Sequence, residues 1–245
     1  MSSVCIIVPC YNEAGRLPVD AFLSYIQQIP DVNFCFVNDG STDKTNFILE
    51  DMRNQFPDRI DVQTLPSNKG KASAVQSGML VSVSKSFDYI GFFDADLATP
   101  LNAIKDLTRT LDNNPALDLV MGSRIKHLGM DIRRNPLRHY VGRIIATVIS
   151  NILKLPVYDT QCGAKVFRSG VVGHLFRDPF VSPWLFDVEI LARLIQYRGR
   201  PNVLSHVVEQ PLKQWIEQSD SRISSDYISK IWYELYRIQR TYRHV

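Results

Sequence analysis

Asp94 and Asp96 stand one residue apart, directly after the apolar run Tyr89-Ile90-Gly91-Phe92-Phe93. Such a short, uncharged, aromatic run reads as a buried strand. Residues i and i+2 of extended backbone project to the same side. Two carboxylates placed this way can hold a hard divalent cation, and that cation can bind a diphosphate. The bland alternative is a solvated turn in which an Asp caps the next helix, and an isolated D-x-D fits that more often. The other polar clusters weigh against it. Tyr11-Asn12-Glu13 follows the apolar run Val4–Val8, Asp39-Gly40-Ser41-Thr42-Asp43 follows Phe34–Asn38, and Ser123-Arg124 closes Leu119–Gly122. In a parallel sheet these strand ends share one edge, where open α/β sheets bind ligands.

A basic segment comes next: Arg124, Lys126, His127, Arg133, Arg134, Arg138, His139 and Arg143. The planar guanidinium fork suits phosphate. The outer members read as a solvated basic face. Arg124 and at least one of Arg133, Arg134 and Arg138 read as phosphate ligands. Further on, Asp159-Thr160-Gln161-Cys162-Gly163-Ala164-Lys165 is polar, small and turn-like. Asp187 and Glu189 open a helix expected over 188–197.

The positioning elements follow from the same pattern. Strands are expected at 4–8, 34–38, 60–65, 89–93 and 119–124. Helices are expected at 18–29, 44–55, from Asn68-Lys69-Gly70-Lys71 through Ser84, and from Pro100 to about Asn113. Fully apolar strands alternating with helices imply an α/β domain with a mainly parallel mixed sheet covered on both faces. That domain is expected over 1–222. Residues 223–245 form an appended basic amphipathic helix, in which Ile228, Ile231, Trp232, Leu235, Ile238 and Tyr242 recur at three- and four-residue steps.

The formal net charge of +3 over 245 residues excludes chain-wide nucleic-acid binding. No apolar stretch reaches the ~18 residues of a membrane span, and the longest, 144–153, is broken by Thr147, Ser150 and Asn151. The first residues lack the pattern of a secretion signal. The four cysteines show no C-x-x-C pair, which suggests small buried residues in a reducing, cytoplasmic compartment.

Pro9-x-Tyr11-Asn12-Glu13, Asp39-Gly40-Ser41-Thr42-Asp43, Asn68-Lys69-Gly70-Lys71 and Asp94-Ala95-Asp96, in this order, resemble the signatures of the inverting, GT-A-fold glycosyltransferases of family 2. Gly122-Ser123-Arg124, the 159–165 segment and Phe186-Asp187-Val188-Glu189 resemble the branch that glycosylates polyprenyl phosphates. Trp215-x-Glu217, with Ser219 and Ser221-Arg222, resembles the dolichyl-phosphate glucosyltransferases of that branch.

The resemblance implies a UDP-sugar donor. Pro9, Tyr11 and Glu13 would line the nucleotide pocket, and Asp39 would accept a hydrogen bond from the base, or cap the following helix, or both. Lys71 and Ala95 would lie beside the nucleotide. Asp94 would contact the ribose or the metal, and Asp96 would ligate Mg²⁺ or Mn²⁺ directly. Arg124, Arg133, Arg134, Arg138, Gln161 and Arg222 would serve the acceptor or its phosphate, with Asp159 near the sugar. Trp215 would stack on a sugar or simply pack.

A hydroxyl acceptor needs a general base, and Asp187 is the first candidate. A phosphate acceptor, whose second pKa is near ~6, does not; Asp187 would then orient the donor sugar or an arginine. Ala98 stands where mannose-transferring relatives carry Gln, which favours glucose over a GDP-mannose donor. Ser219-Asp220-Ser221-Arg222 stands where Gly-Ser-Lys is expected.

The expected activity is transfer of a hexose, glucose first, from a UDP-sugar to a polyprenyl or dolichyl phosphate with inversion. The alternatives are a family 2 transferase acting on a glycan hydroxyl and, in another class, a non-catalytic nucleotide-sugar-binding module. A lipid acceptor also implies peripheral contact with the cytoplasmic face of a membrane, through the C-terminal helix or residues 140–155. A membrane-protein partner or a homo-oligomer would be compatible with this.

Overall fold

The computed structural model describes residues 2–133, 135–217 and 226–243. The chain opens with β1 (Val4–Cys10), α1 (Val19–Gln28), β2 (Val32–Asn38), α2 (Thr45–Gln55) and β3 (Ile60–Thr64). It continues through α3 (Lys71–Val83), β4 (Tyr89–Phe93), α4 (Asn102–Asn113) and β5 (Leu119–Ser123). The second part contains β6 (Asp131–Arg133), α5 (Pro136–Leu153), β7 (Ala164–Arg168), α6 (Ser169–Phe176) and α7 (Phe186–Arg198). It ends with β8 (Val207–Pro211), β9 (Gln214–Ile216) and α8 (Asp226–Thr241).

Seven strands form one sheet in the order β3-β2-β1-β4-β7-β5-β8. All pairs are parallel except those made by β7, which runs antiparallel to both β4 and β5. β6 and β9 form a separate parallel pair. The strands expected from apolar runs are all present. β6, β7, β8, β9, α5 and α6 are not among the expected elements; β7 is disguised because Lys165 interrupts the apolar run Ala164–Phe167.

Alternation along β1 divides the core. Cys5 and Ile7 face one hydrophobic layer, while Val4, Ile6 and Val8 face the other. Burial on both faces explains why these strands read as continuous apolar runs. On α4, Ile104, Leu107 and Leu111 are buried at helical spacing, as expected of a helix with one face on the sheet. All four cysteines are buried and free.

Helix α8 packs on the domain. Ile231, Leu235 and Ile238 enter the core layer shared with α5, α6 and α7. Trp232, Tyr233 and Tyr236 point outward, so the apolar stripe expected there is split between the two sides. The side chain of Ile228 lies outside the described residues. Polar contacts fix the docking: Arg193 Nε donates to the Tyr242 hydroxyl at 2.9 Å, that hydroxyl donates to Glu189 at 3.1 Å, and Ser182 Oγ donates to Glu234. No helix of the described residues is long and apolar enough to cross a membrane.

Candidate active site

The C-terminal edge of β1, β2, β4 and β5 gathers the polar groups. β4 delivers Asp94 and Asp96 through a tight turn in which Leu97 adopts φ 51°. Asp96 Oδ1 accepts a hydrogen bond from the Ala98 backbone N–H at 3.0 Å. Asp94 is ion-paired with Lys71, the first residue of α3. Burial, and then the like charge of Asp94, raise the Asp96 pKa above its ordinary value. Burial opposes the charge on Lys71, but Asp94, Asp187 and Asp96 outweigh it and its pKa is raised. The turn therefore has more negative charge than Lys71 can balance.

Asp39 is buried, and both of its oxygens accept backbone N–H groups of the next motif, Lys69 at 2.8 Å and Gly70 at 2.8 Å. It does not cap α2. Asp43 supplies the local turn bond instead, accepting from the Thr45 N–H at 2.9 Å. Gly70 takes φ +88°, which glycine adopts at no steric cost. Asp39 thus shapes the loop that presents Lys71. Glu13 is buried and held by Arg16 through bonds of 2.5 and 2.7 Å, and the charge of Arg16 also reaches Asp96. Pro9 and Tyr11 flank this edge, half-buried, and Ala95 is buried between the two aspartates.

Across the edge, Arg124 makes a bidentate pair with Asp159: Nε to Oδ2 at 2.7 Å and Nη2 to Oδ1 at 2.6 Å. Burial works against its charge, but Asp159 more than compensates and holds the guanidinium above its ordinary pKa. Asp159 is steadied in turn by Glu209 of β8, which accepts the backbone N–H groups of Tyr158 and Asp159 at 2.8 and 2.7 Å. Trp215 is buried under Arg124, whose guanidinium carbon lies 5.2 Å from the ring centroid; the ring packs here. Gln161 lines a pocket with Arg124, Arg143 and Tyr158.

Asp187, in the first turn of α7, accepts from Lys165 Nζ at 2.6 Å. Lys165 is completely buried and also donates to the Cys162 carbonyl at 2.7 Å. Arg133 lies on the surface, 70% exposed, and pairs with Asp131 at 2.9 Å. Arg134 and Arg222, with Ser219 and Ser221, lie outside the described residues, as does the side chain of Arg138.

The family model described as Glycosyl transferase family 2 matches residues 5–176. The chain belongs to glycosyl transferase family 2. It is 30% identical over 249 residues to a dolichyl-phosphate beta-glucosyltransferase of Trichomonas vaginalis, spanning 97% of this chain and 71% of that protein. It is 32% identical over 201 residues to the human dolichyl-phosphate beta-glucosyltransferase, covering 76% of this chain and 61% of the human protein. The fold is also similar to that of glucosyl-3-phosphoglycerate synthase from Mycobacterium tuberculosis. The complex with phosphoglyceric acid aligns with a TM-score of 0.72 at 15% identity, over 98% of this chain and 80% of that one. The complex with Mn²⁺, UDP and glucosyl-3-phosphoglycerate aligns with a TM-score of 0.70 at 14% identity, over 98% of this chain and 80% of that one. The fold is GT-A.

Three residues of this family 2 site were not singled out by sequence reasoning. A Cβ on Gly163 would lie 1.8 Å from Asp94 Oδ2, so only glycine lets β7 start beside the first aspartate. Lys165 and Glu209 act through partners 22 and 50 residues away. The polar 159–165 segment was the only available signal for Gly163 and Lys165, and Glu209 gave none.

Proposed function

We propose that this family 2 enzyme transfers glucose from UDP-glucose to the phosphate of a polyprenyl or dolichyl lipid, with inversion. The observation that carries the reading is the state of the carboxylates. Asp39 is engaged by backbone, Asp94 by Lys71, Asp159 by Arg124 and Asp187 by a buried Lys165. None is poised to take a proton from a hydroxyl. A phosphate acceptor is already anionic and needs alignment rather than deprotonation. An acceptor phosphate oxygen would attack the anomeric carbon in line while the bond to UDP breaks, giving a β-linked product. The names of the curated relatives support the acceptor and the sugar.

In this reading Asp96 holds Mg²⁺ or Mn²⁺ with Asp94 beside it. The donor set fits: two carboxylates are the hard oxygen ligands these cations take, leaving positions for diphosphate oxygens and water. Burial first, and then the like charge of Asp94, raise the pKa of Asp96, and a cation bound between the two carboxylates would offset both. The cation would neutralise the departing diphosphate. Lys71 would remain beside the phosphates, and Glu13, Tyr11 and Pro9 would border the nucleotide. Arg124, pre-oriented by Asp159, would face the acceptor phosphate.

The acceptor also implies peripheral contact with the cytoplasmic face of a membrane. The outward side of α8 has the composition for it, with Trp232, Tyr233 and Tyr236 exposed among Lys230, Arg237 and Arg240. Aromatic residues suit the interfacial layer and basic residues suit anionic head groups.

The test is transfer of radiolabel from a panel of UDP- and GDP-sugars to polyprenyl phosphate in detergent with Mg²⁺, beside Asp96→Ala. Label entering the lipid phase from UDP-glucose, and absent with Asp96→Ala, is the expected result. Donor binding without any lipid product would overturn the phosphate-acceptor reading in favour of a glycan hydroxyl.

A further inference from the structure

The connection between α6 and α7 is held from three helices at once. Gln76 of α3 donates to the carbonyls of Phe176 and Asp178, both at 2.7 Å. Glu189 of α7 accepts the backbone N–H groups of Val181 and Ser182 at 3.0 and 2.5 Å. Glu234 of α8 accepts from Ser182 Oγ, and that same hydroxyl accepts the Leu185 N–H at 2.8 Å. Ser182 and Glu189 are fully buried, and Glu234 is 7% exposed. The residues after Ser182 meet the catalytic edge. Pro183 is the nearest neighbour of the point where a Cβ on Gly70 would stand, at 3.9 Å, and Gly70 immediately precedes Lys71. Leu185 leads into α7, whose first turn holds Asp187, and the charge of Asp187 reaches Lys71. Burying a carboxylate costs more than one hydroxyl bond returns. By this contact Glu234 fixes where Ser182 stands and adds little to stability.

We infer that Glu234 is a positioning residue for the donor site: through Ser182 it sets Pro183 against the Gly70–Lys71 loop, and so keeps Lys71 beside Asp94. The inference rests on the UDP-donor reading above and gives α8 a part in it. Groups that bind or react must be held by supporting contacts of their own, and a misplacement of about 1 Å that originates far from the chemistry can cost about a hundredfold in rate. Loss of one hydrogen bond to a charged group corresponds to a tenfold to hundredfold change in affinity.

The experiment is a titration of the intact protein with UDP and Mn²⁺, beside deuterium exchange of the amides at 66–71, for wild type, Glu234→Leu and Glu234→Gln. The leucine variant, folded by circular dichroism, is expected to bind UDP about tenfold more weakly and to exchange faster at 66–71. The glutamine variant keeps an oxygen that accepts from Ser182 Oγ and is expected to restore both. Ser182→Ala removes the same bond from its other end and serves if the leucine variant does not fold. Unchanged UDP affinity in a folded variant without the bond overturns the inference, because a merely structural contact would lower the unfolding midpoint and leave binding by the folded protein as it was. Equal loss in Glu234→Gln and Glu234→Leu also overturns it. Failure of wild type to bind UDP overturns the UDP-donor reading. Faster exchange at 66–71 in the leucine variant would then still uphold the link from α8 to the loop, and equal exchange would overturn it.

Discussion

In the proposed reading, the donor side and the acceptor side of this enzyme are assembled by different means. On β1, β2 and α3 several polar groups are placed by hydrogen bonds to backbone, beside the ion pairs Glu13–Arg16 and Asp94–Lys71. Asp39 grips two N–H groups of the Lys71 loop, Asn12 Oδ1 accepts from the Thr42 N–H at 2.9 Å, and Thr45 Oγ1 accepts from the Glu13 N–H at 2.7 Å. On β5, β7, α5 and α7 the central groups are charged side chains that hold one another: Arg124 with Asp159, and Lys165 with Asp187. Backbone placement suits a nucleotide, whose shape is constant. Paired side chains suit an anion that must be gripped and released. The difference also bears on fragility: a buried ion pair that loses one member leaves an uncompensated charge, whereas loss of Asp39 leaves two backbone N–H groups unsatisfied.

The contrast is tested most severely at the buried pair. Lys165→Met should cost about 3–5 kcal/mol of stability in urea unfolding, and adding Asp187→Leu should recover most of it. Transfer activity in the recovered double variant would dismiss Asp187 as a base; a cost below about 1 kcal/mol for the single variant would erase the distinction between the two sides. Next comes Gly163→Ala, whose methyl group would displace Asp94. A misplacement on that scale should reduce turnover about a hundredfold with the fold intact by circular dichroism, showing that the acceptor-side strand positions a donor-side carboxylate. Arg124→Lys keeps the charge and loses the bidentate fork. The expected effect is a tenfold to hundredfold fall in kcat/KM for the acceptor, with UDP affinity unchanged.

The smallest effect concerns pH. Burial, partly offset by the Asp159 and Tyr158 N–H groups, raises the pKa of Glu209. The folded state then binds more protons than the unfolded state between the ordinary glutamate value and the raised one. Stability contributed by this group should fall as pH rises through that window. Glu209→Gln should flatten that part of a stability-against-pH curve, and an unchanged curve would remove Glu209 from the account of the Arg124 pair.

The same contrast explains what could be read from the sequence. The donor side is written locally: apolar runs end in short polar signatures, and their order identifies both the strands and the edge they share. β4 with Asp94 and Asp96, and α3 beginning at Lys71, lie where the pattern put them. The acceptor side is written across distance. Lys165 hides β7 because a lysine inside a strand looks like a loop until Asp187, far along the chain, appears beside it. β6 and β9 are three residues each, too short to leave an alternating pattern. Arg143 looked like one more surface charge because Tyr158, its partner, lies 15 residues away across α5. Asp39 was legible as a site residue, but its grip on the next motif was not.

The reversed direction of β7 has a consequence for how such enzymes can diversify. The chain leaves β5 at the edge that carries the aspartates, and it re-enters the sheet through β7 at that same edge. Everything between Ser123 and Ala164, including α5, is therefore an excursion that starts and finishes above the reaction centre without crossing the sheet. Such an excursion can be lengthened, shortened or exchanged with little disturbance to strand order. New acceptors could be acquired by rewriting one continuous stretch of gene while the machinery that handles the nucleotide is inherited intact.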